Sequence, residues 1–351
     1  MIDITAIGEI LIDFTPAGAD DRGIPLFSQN PGGGPVNMLA MYAKLGGKAA
    51  FIGKIGNDRF GDFLRDTLKR AGIDTSGVVR SGTVNTTLAF VHLDRSGDRS
   101  FSFYRNPGAD ITLETAEIDS GLIEAAGNFH VSGVSLTGEP SRSAVCHALD
   151  IAVAHGKTVS YDPNYRPQLW GDVPGAEVSE VLNPSFPHSL DHARASTVAI
   201  SLRSSIKREL VRPLAKVDIL KVSDEEAALM TGEPEIQNGA AALAKAGPAI
   251  VLVTLGPKGA FFLCRDGTGL LPAYDVPTVD TTGAGDAFLG AVLFKLRGKR
   301  RADVRSVTRD ELADIVRFAN AAGSLATTKP GGIPAMPSPE AVAQLCAPRS
   351  R

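Results

Sequence analysis

Short apolar runs alternate with amphipathic stretches over most of the chain. The runs predict buried strands at Thr5 to Ile12, Ala49 to Ile55, Asn128 to Val134, Thr158 to Asp162, Asp218 to Ser223 and Ala249 to Leu255. Between Phe60 and Ala71 apolar residues recur every three or four positions, which predicts a helix with one buried face, and a second helix is expected from Ser141 to His155. Continuous apolar strands that alternate with helices predict an α/β fold, in which helices cover both faces of a mainly parallel central sheet.

Two stretches depart from this alternation. Thr86 to Leu93 and Arg99 to Tyr104 have the pattern of a hairpin, which is foreign to a pure βαβ array. We therefore expect a small β-sheet lid, formed from about residues 11–30 and 86–105. Residues 171–213 contain several prolines and little periodicity, which predicts a surface insertion that is helical near Arg203 to Leu210. Residues 1–340 are expected to form a single domain around this insertion.

Composition restricts the classes of partner. The chain has 351 residues and a net charge of −3, without the basic stripe that is typical of nucleic-acid binding. No apolar run is long enough to span a bilayer, and no basic leader precedes the first predicted strand. Three cysteines without a CxxC spacing predict reduced thiols. We expect a cytoplasmic protein that binds neither nucleic acid nor membrane.

The strongest chemical signal is the segment DTTGAGD at residues 280–286, which opens an apolar helical pattern. Glycines let backbone N–H groups approach an anion, and a helix N-terminus favours negative charge, so Gly283, Ala284 and Gly285 are predicted to hold a phosphate. Asp286 falls in the first helical turn, where an ionised carboxylate can accept a proton from a substrate hydroxyl. The alternative is a plain glycine turn with a capping Asp286. The chain has neither a GxxxxGK[ST] nor a GxGxxG motif.

A second glycine turn lies near the N-terminus, in the segment PGGGPVN at residues 31–37. It precedes a helical pattern whose first turn contains Asn37, and an amide there can both donate to and accept from a polyol. Asp13 ends the first predicted strand. Taken alone, Asn37 is also typical of a helix cap and Asp13 of an ordinary strand-end acid.

The chain resembles the ribokinase-like (PfkB) family of carbohydrate kinases, and within it the fructokinases. Ordered motifs carry the resemblance: GGGPVN at 32–37, FYRNPGAD at 103–110, YDPNYRP at 161–167, KVSDEE at 221–226, TLGPKG at 254–259 and DTTGAGD at 280–286. The resemblance extends over nearly the whole chain apart from the insertion. The resemblance implies transfer of the γ-phosphoryl group of ATP to a sugar, with D-fructose and its 6-hydroxyl as the first choice. It also implies Mg²⁺ with ATP, a monovalent cation such as K⁺, and a homodimer.

The same resemblance implies roles for individual residues. Asp286 would be the base, while Arg166 and the N–H groups of residues 283–285 would contact the transferred phosphoryl group. The implied sugar-binding residues are Asp13, Gly32, Gly33, Asn37, Tyr104, Arg105, Asn164 and Asp286. The implied ATP-binding residues are Ser223, Glu226, Thr254, Gly256, Gly259, Gly283, Gly285 and Asn320.

Two metal sites are also implied. Glu226 would act on Mg²⁺ through water, in a motif whose first position is Ser223 where the family has Asn and fructokinases commonly have Ser. Asp280, Thr282 and the loop from Thr327 to Gly332 resemble the family's monovalent-cation site. The alternatives are a 2-keto-3-deoxygluconate kinase, a ribose or nucleoside kinase, and a non-catalytic sugar-binding relative.

Overall fold

The computed structural model describes residues 2–93, 99–170 and 204–347. The strands are β1 (Ile4–Ile7), β2 (Leu11–Ala19), β3 (Pro25–Gly32), β4 (Ala49–Gly56), β5 (Ile73–Asp74), β6 (Val78–Ser81), β7 (Leu88–Leu93), β8 (Arg99–Tyr104), β9 (Asn128–Ser132), β10 (Thr158–Asp162), β11 (Ile219–Ser223), β12 (Ile250–Thr254), β13 (Ala260–Cys264) and β14 (Gly267–Leu271). The helices are α1 (Gly34–Lys44), α2 (Arg59–Arg70), α3 (Ser120–Ala125), α4 (Ser141–Ala154), α5 (204–211), α6 (Asp224–Thr231), α7 (Ile236–Lys245), α8 (Ala284–Lys295), α9 (Arg301–Arg305), α10 (Arg309–Ala326) and α11 (Pro339–Cys346).

The central sheet has ten strands, in the order β14-β13-β12-β11-β10-β9-β1-β4-β5, with β6 also paired to β4. Every pairing from β12 to β5 is parallel, whereas β13 and β14 add an antiparallel edge. Alternate residues of β1 face two separate cores: Ile4 packs with α1 and α8, and Ile7 packs with α3 and α4. The predicted α/β fold, a mainly parallel sheet covered on both faces, is therefore confirmed.

The N-terminal strand differs from the prediction. The pattern from Thr5 to Ile12 predicts one strand, but β1 ends at Ile7 and β2 begins at Leu11. Gly8 lies at the break, where a Cβ atom would stand 2.7 Å from Pro35 Cγ and 2.9 Å from Ser132 Cβ. Only glycine fits there, and the chain leaves the central sheet for a second sheet at this point.

The second sheet has four strands, in the order β3-β2-β7-β8, and confirms the expected small sheet. Strand alternation gives it two different faces. Val91, Phe101 and Phe103 point to a cavity above the central sheet, while Phe90 and Tyr104 on the other face are in ring contact. The turn of the predicted hairpin and most of the predicted insertion, including Arg203, lie outside the described residues. Residues 204–211 do form a helix.

Helix α8 approaches two neighbours closely because glycines line the contacts. A Cβ atom on Gly290 would lie 2.5 Å from the Met38 carbonyl oxygen and 2.9 Å from Met41 Cβ, both on α1. A Cβ atom on Gly323 of α10 would lie 3.1 Å from the Ala284 carbonyl oxygen. The N-termini of α1 and α8 are thereby held side by side. None of the helices within the described ranges has both the length and the apolar content of a membrane span.

We expect Gly290→Ala to lower the free energy of unfolding by about 1–3 kcal/mol, because the added methyl group has no room and α1 must move. The stronger helix propensity of Ala opposes this effect but does not remove the overlap. Urea denaturation of this variant, compared with Gly82→Ala, measures the effect. No atom lies within 4 Å of the Cβ position at Gly82, so this control should stay within about 0.5 kcal/mol of wild type. Equal stabilities for the two variants would contradict the packing argument.

Candidate active site

Two neighbouring cavities lie at the carboxyl ends of the parallel strands, where ligands bind in open α/β sheets. The first, of about 620 Å³, lies between the central sheet and the second sheet and is lined by Asp13, Asn164, Arg166 and Asp286 among others. The second, of about 610 Å³, lies between β12 and α10. Both are lined by Thr281 and Gly285, so the glycine turn at the start of α8 separates them.

The turn has the geometry of an anion site. Gly283, the N-cap of α8, has φ 78°, a left-handed conformation that favours glycine. A Cβ atom there would also lie 3.2 Å from Gly332 Cα. The Ala284 N–H makes a long turn bond of 3.3 Å to the Thr281 carbonyl, and the first N–H groups of any helix lack intrahelical acceptors. The turn can therefore direct N–H donors at an anion between the cavities.

Asp286 lies in the first turn of α8 and lines the first cavity. Its Oδ2 atom accepts a hydrogen bond of 2.9 Å from Asn37 Nδ2 on α1. Burial raises the pKa of Asp286 to about 6, while Lys221, Asn37 and Arg166 act in the opposite direction. A carboxylate with this pKa is ionised at neutral pH and basic enough to accept a proton.

A buried lysine lies behind the turn, and sequence reasoning assigned it no role. Lys221 Nζ donates to Asp162 Oδ2 at 3.0 Å and lies 3.1 Å from the position that a Cβ atom on Gly285 would occupy. Burial lowers the pKa of Lys221, but Asp162, Glu226 and Asp286 raise it above its ordinary value, so the ammonium group stays charged. The available signal was a lysine in the otherwise apolar strand ILKVS, whose neighbours are buried.

A hydrogen bond between Glu9 and Asn164 connects the link between β1 and β2 to the loop after β10, and both residues line the first cavity. Glu9 Oε1 accepts both the Gly34 N–H at 2.8 Å and Asn164 Nδ2 at 3.2 Å. Asn164 has φ 45°, and its own N–H donates to Asp162 Oδ1 at 3.0 Å. Burial raises the pKa of Glu9 to about 7, against the effect of the Ser132 hydroxyl. Sequence reasoning assigned no role to either acid, although Asp162 belongs to the recognised motif YDPNYRP and Glu9 to the first predicted strand.

Asp13 lines the same cavity from β2, and Arg166 lines it from the loop after β10. Burial raises the pKa of Asp13 to about 6, the positive charge of Arg166 lowers it, and the charge of Asp286 raises it. Gly32 packs under the Asp13 carboxylate, since a Cβ atom there would lie 2.1 Å from Oδ2. Gly33 lines the cavity, and its φ of 122° requires glycine.

Glu226 connects α6 to the loop after β10. Its Oε2 atom accepts the Ser223 N–H at 2.7 Å in a capping box, and its Oε1 atom accepts the Tyr165 N–H at 2.7 Å. Burial raises the pKa of Glu226 and Lys221 lowers it. Each carboxylate oxygen keeps acceptor capacity for a metal-bound water, so the residue fits the predicted role at Mg²⁺.

The residues predicted for ATP are divided between the two cavities. Thr254, Gly256, Gly259 and Asn320 line the second, Ser223, Glu226 and Gly283 line the first, and Gly285 lines both. Asn320 Nδ2 donates to the carbonyl oxygens of Leu271 and Pro272 at 3.0 and 2.9 Å, so this amide first of all anchors the chain that follows β14.

Asp280 fastens the glycine turn to the loop that follows α10. Its Oδ1 atom accepts the Thr282 N–H at 2.8 Å, and its Oδ2 atom accepts the Gly331 N–H at 2.9 Å. The Val279 and Asp280 N–H groups donate to the Thr327 carbonyl oxygen. The segments of the predicted monovalent-cation site are therefore adjacent. Within the described ranges, no group of three or more His, Cys, Asp or Glu residues has the arrangement of a metal site.

Two residues predicted to bind the sugar, Tyr104 and Arg105, lie outside the lining of the first cavity. Tyr104 is 66% exposed and lies on the face of the second sheet that carries Phe90, away from the cavity. Arg105 is buried, with Nε 2.9 Å from Asp110 Oδ2 and Nη1 2.8 Å from Thr137 Oγ1. Neither residue lines the cavity in the described structure, where Phe101 and Phe103 occupy the corresponding wall. Side chains of a strand alternate between faces, so the FYRNP motif alone did not identify which of them face the cavity.

Comparisons with known proteins agree on one family. The pattern of the pfkB family carbohydrate kinases matches residues 1–187 and 188–339. Fructokinase-1 of Oryza sativa subsp. japonica is 39% identical over 97% of both chains, and fructokinase-1 of Zea mays is 38% identical over the same shares. A crystal structure of fructokinase with bound ATP from Xylella fastidiosa has a TM-score of 0.81 and 30% identity, covering 98% of this chain and 97% of that one. A fructokinase from Vibrio cholerae O395, bound to fructose, ADP and calcium, has a TM-score of 0.79 and 29% identity over 99% of both chains.

The raised pKa of Asp286 predicts that Asp286→Asn stabilises the folded protein at high pH. The folded pKa of about 6 exceeds the ordinary 3.8, so the contribution of Asp286 to stability falls as the pH rises from about 4 to 6. At pH 8 we expect the free energy of unfolding of Asp286→Asn to exceed that of wild type by about 1–2 kcal/mol. This value is smaller than the full pKa difference implies, because solvent has partial access to the carboxylate. Near pH 4 the two proteins should be equally stable.

Urea denaturation at both pH values measures this difference. Asp66→Asn, an exposed substitution on α2, is the control and should show no such pH dependence. A destabilised Asp286→Asn at pH 8 would contradict the account of a carboxylate that is costly to bury.

Proposed function

The chain belongs to the pfkB family of carbohydrate kinases, and we propose that it is an ATP-dependent fructokinase that phosphorylates the 6-hydroxyl of D-fructose. One observation carries the proposal. The glycine turn separates two cavities, and Asp286 stands on the side of the first, so a hydroxyl bound there can face a phosphate chain in the second. The names of the relatives, fructokinases at 37–39% identity over nearly the full chain, support fructose.

The proposed reaction is direct transfer. The 6-hydroxyl oxygen of fructose attacks the γ-phosphorus atom of ATP, while Asp286 accepts the hydroxyl proton. The bond between the γ-phosphorus and the bridging oxygen breaks, and ADP leaves with that oxygen and its electron pair. N–H groups at Gly283, Ala284 and Gly285 stabilise the negative charge on the transferred group.

Two cations act on the same charge. Lys221 lies against the turn at Gly285, and both Lys221 and Arg166 line the first cavity. A guanidinium group can hold two phosphate oxygens at once, whereas the lysine supplies a point charge. Mg²⁺, bound with ATP, would neutralise phosphate oxygens, and Glu226 would hold one of its water ligands.

The second sheet supports the reaction by limiting water. Val91, Phe101 and Phe103 form an apolar wall over the first cavity. Water competes with the sugar hydroxyl as a nucleophile, so an apolar cover favours transfer over hydrolysis of ATP.

Charge favours a neutral sugar over the rival 2-keto-3-deoxygluconate. The lining of the first cavity includes Glu9, Asp13 and Asn164, which accept hydrogen bonds or carry negative charge. Arg105, which directly follows β8, is paired with Asp110. A substrate carboxylate would therefore lie beside acids, and Arg166, the cation that acts on Asp13, is assigned here to the transferred phosphoryl group.

Further parts of the proposal follow the family resemblance. We propose that K⁺ binds between the segment with Asp280 and Thr282 and the loop from Thr327 to Gly332. There it would stiffen the anion site without taking part in the chemistry. The protein would act as a homodimer in the cytoplasm, with residues 171–213 as an insertion in a single domain of residues 1–340 and the second sheet as its lid.

The test is ADP release by purified protein with Mg-ATP and, in parallel, fructose, 2-keto-3-deoxygluconate, ribose, adenosine or no acceptor. We expect strong activity with fructose alone, and a product that is phosphorylated at the 6-position by ³¹P NMR. Activity with another acceptor would retain the mechanism and overturn the sugar assignment. Folded protein that binds fructose but releases no ADP would establish the non-catalytic alternative.

A further inference from the structure

Glu9 lies in the short link between the two sheets, and the proposed chemistry does not use it. The Gly8 contacts fix the path of this link, and a Cβ atom on Gly33 would lie 2.6 Å from the Glu9 carbonyl oxygen. The Glu9 side chain is 2% exposed and runs beneath the glycine-rich turn into the wall of the first cavity. Residues on both sides of the link thus hold its backbone in place.

The Glu9 carboxyl group determines which atoms of Asn164 remain free. Its Oε1 atom accepts Asn164 Nδ2, and the same oxygen accepts the Gly34 N–H, so it can only be an acceptor. The Asn164 N–H is also used, since it donates to Asp162. The described contacts therefore use both kinds of donor on Asn164, and its Oδ1 atom remains as an acceptor.

Asn37, in the first turn of α1, has the same polarity. Its Nδ2 atom donates to Asp286, and its Oδ1 atom is buried without a hydrogen-bond partner among the described residues. Asn164 and the Asp13 carboxylate line the first cavity and give its wall hydrogen-bond acceptors, whereas Asn37 Oδ1 is enclosed by protein atoms. Such a wall binds a ligand that donates from several hydroxyl groups.

We propose that Glu9 is a positioning residue for sugar recognition: by binding Asn164 Nδ2, it directs Asn164 Oδ1 to accept a hydrogen bond from a sugar hydroxyl. This inference rests on the proposed function as a sugar kinase. This role depends on the length of the Glu9 side chain, because one oxygen must accept hydrogen bonds from both Gly34 and Asn164. Its negative charge does not matter.

Two substitutions separate reach from charge. Glu9→Gln removes the charge but keeps an oxygen at the same distance from the backbone, whereas Glu9→Asp keeps the charge and is one methylene shorter. We expect Glu9→Asp to raise KM for fructose by about tenfold, the equivalent of about 1.4 kcal/mol, with KM for ATP unchanged. Glu9→Gln should remain within about threefold of wild type for both substrates.

A double-mutant cycle tests whether Glu9 acts through Asn164. Glu9→Asp should have no further effect on KM for fructose in an Asn164→Ala background, because the group that it positions is gone. Effects that multiply would overturn the inference, as would equal losses in Glu9→Asp and Glu9→Gln, an unchanged KM for fructose, or a parallel rise in KM for ATP.

Two controls keep these outcomes interpretable. Circular dichroism and urea denaturation establish that each variant folds; if Glu9→Asp does not, Glu9→Met fills the space without an acceptor and carries the same expectation. Wild-type protein is assayed alongside. A wild type that is inactive with fructose would sink the proposed function, whereas an active wild type with unaffected Glu9 variants would sink only this inference.

Discussion

The structure depends on holding the Asp286 carboxylate at the N-terminus of α8, within hydrogen-bond distance of Asn37 on α1. A carboxylate in this environment is costly, as its raised pKa indicates. Packing between helices must offset that cost, and the small residues of α8 make the packing close. Gly290 brings α1 within contact of α8, and Gly323 does the same for α10. The base and its orienting amide therefore belong to one tightly packed layer of helices.

A cluster of charges extends from this layer into the central sheet. Asp162, Glu226 and Asp286 all act on Lys221, the buried cation nearest the glycine turn. Removal of one carboxylate would change the charge balance for the others, since they share a poorly solvated region. The arrangement suits a reaction in which negative charge arrives with ATP and shifts between oxygens, because Lys221 is already fixed by Asp162 and needs little reorganisation.

Local signals predicted much of the fold and the centre of the site. Apolar strands that alternate with helices predicted the covered sheet, and Gly283, Gly285 and Asp286 were recognised because a phosphate turn needs glycines close together at the start of a helix. Contacts between distant segments were not predictable in this way. The break after Ile7 depends on Pro35 and Ser132, and Lys221 gains its role from Gly285, which is far away in sequence. The FYRNP motif predicted sugar contacts at Tyr104 and Arg105, but strand alternation places Tyr104 on the face that carries Phe90, and Arg105 is paired with Asp110.

The central claim is that Asp286 accepts the proton of the sugar hydroxyl during direct transfer from ATP. Single-turnover measurement of fructose phosphorylation by Asp286→Asn, with its fructose affinity determined separately by calorimetry, tests this claim most directly. We expect the rate of transfer to fall by about 100-fold or more, with the fructose Kd within a few-fold of wild type. A rate of transfer near that of wild type, in a variant that still binds fructose, would contradict it.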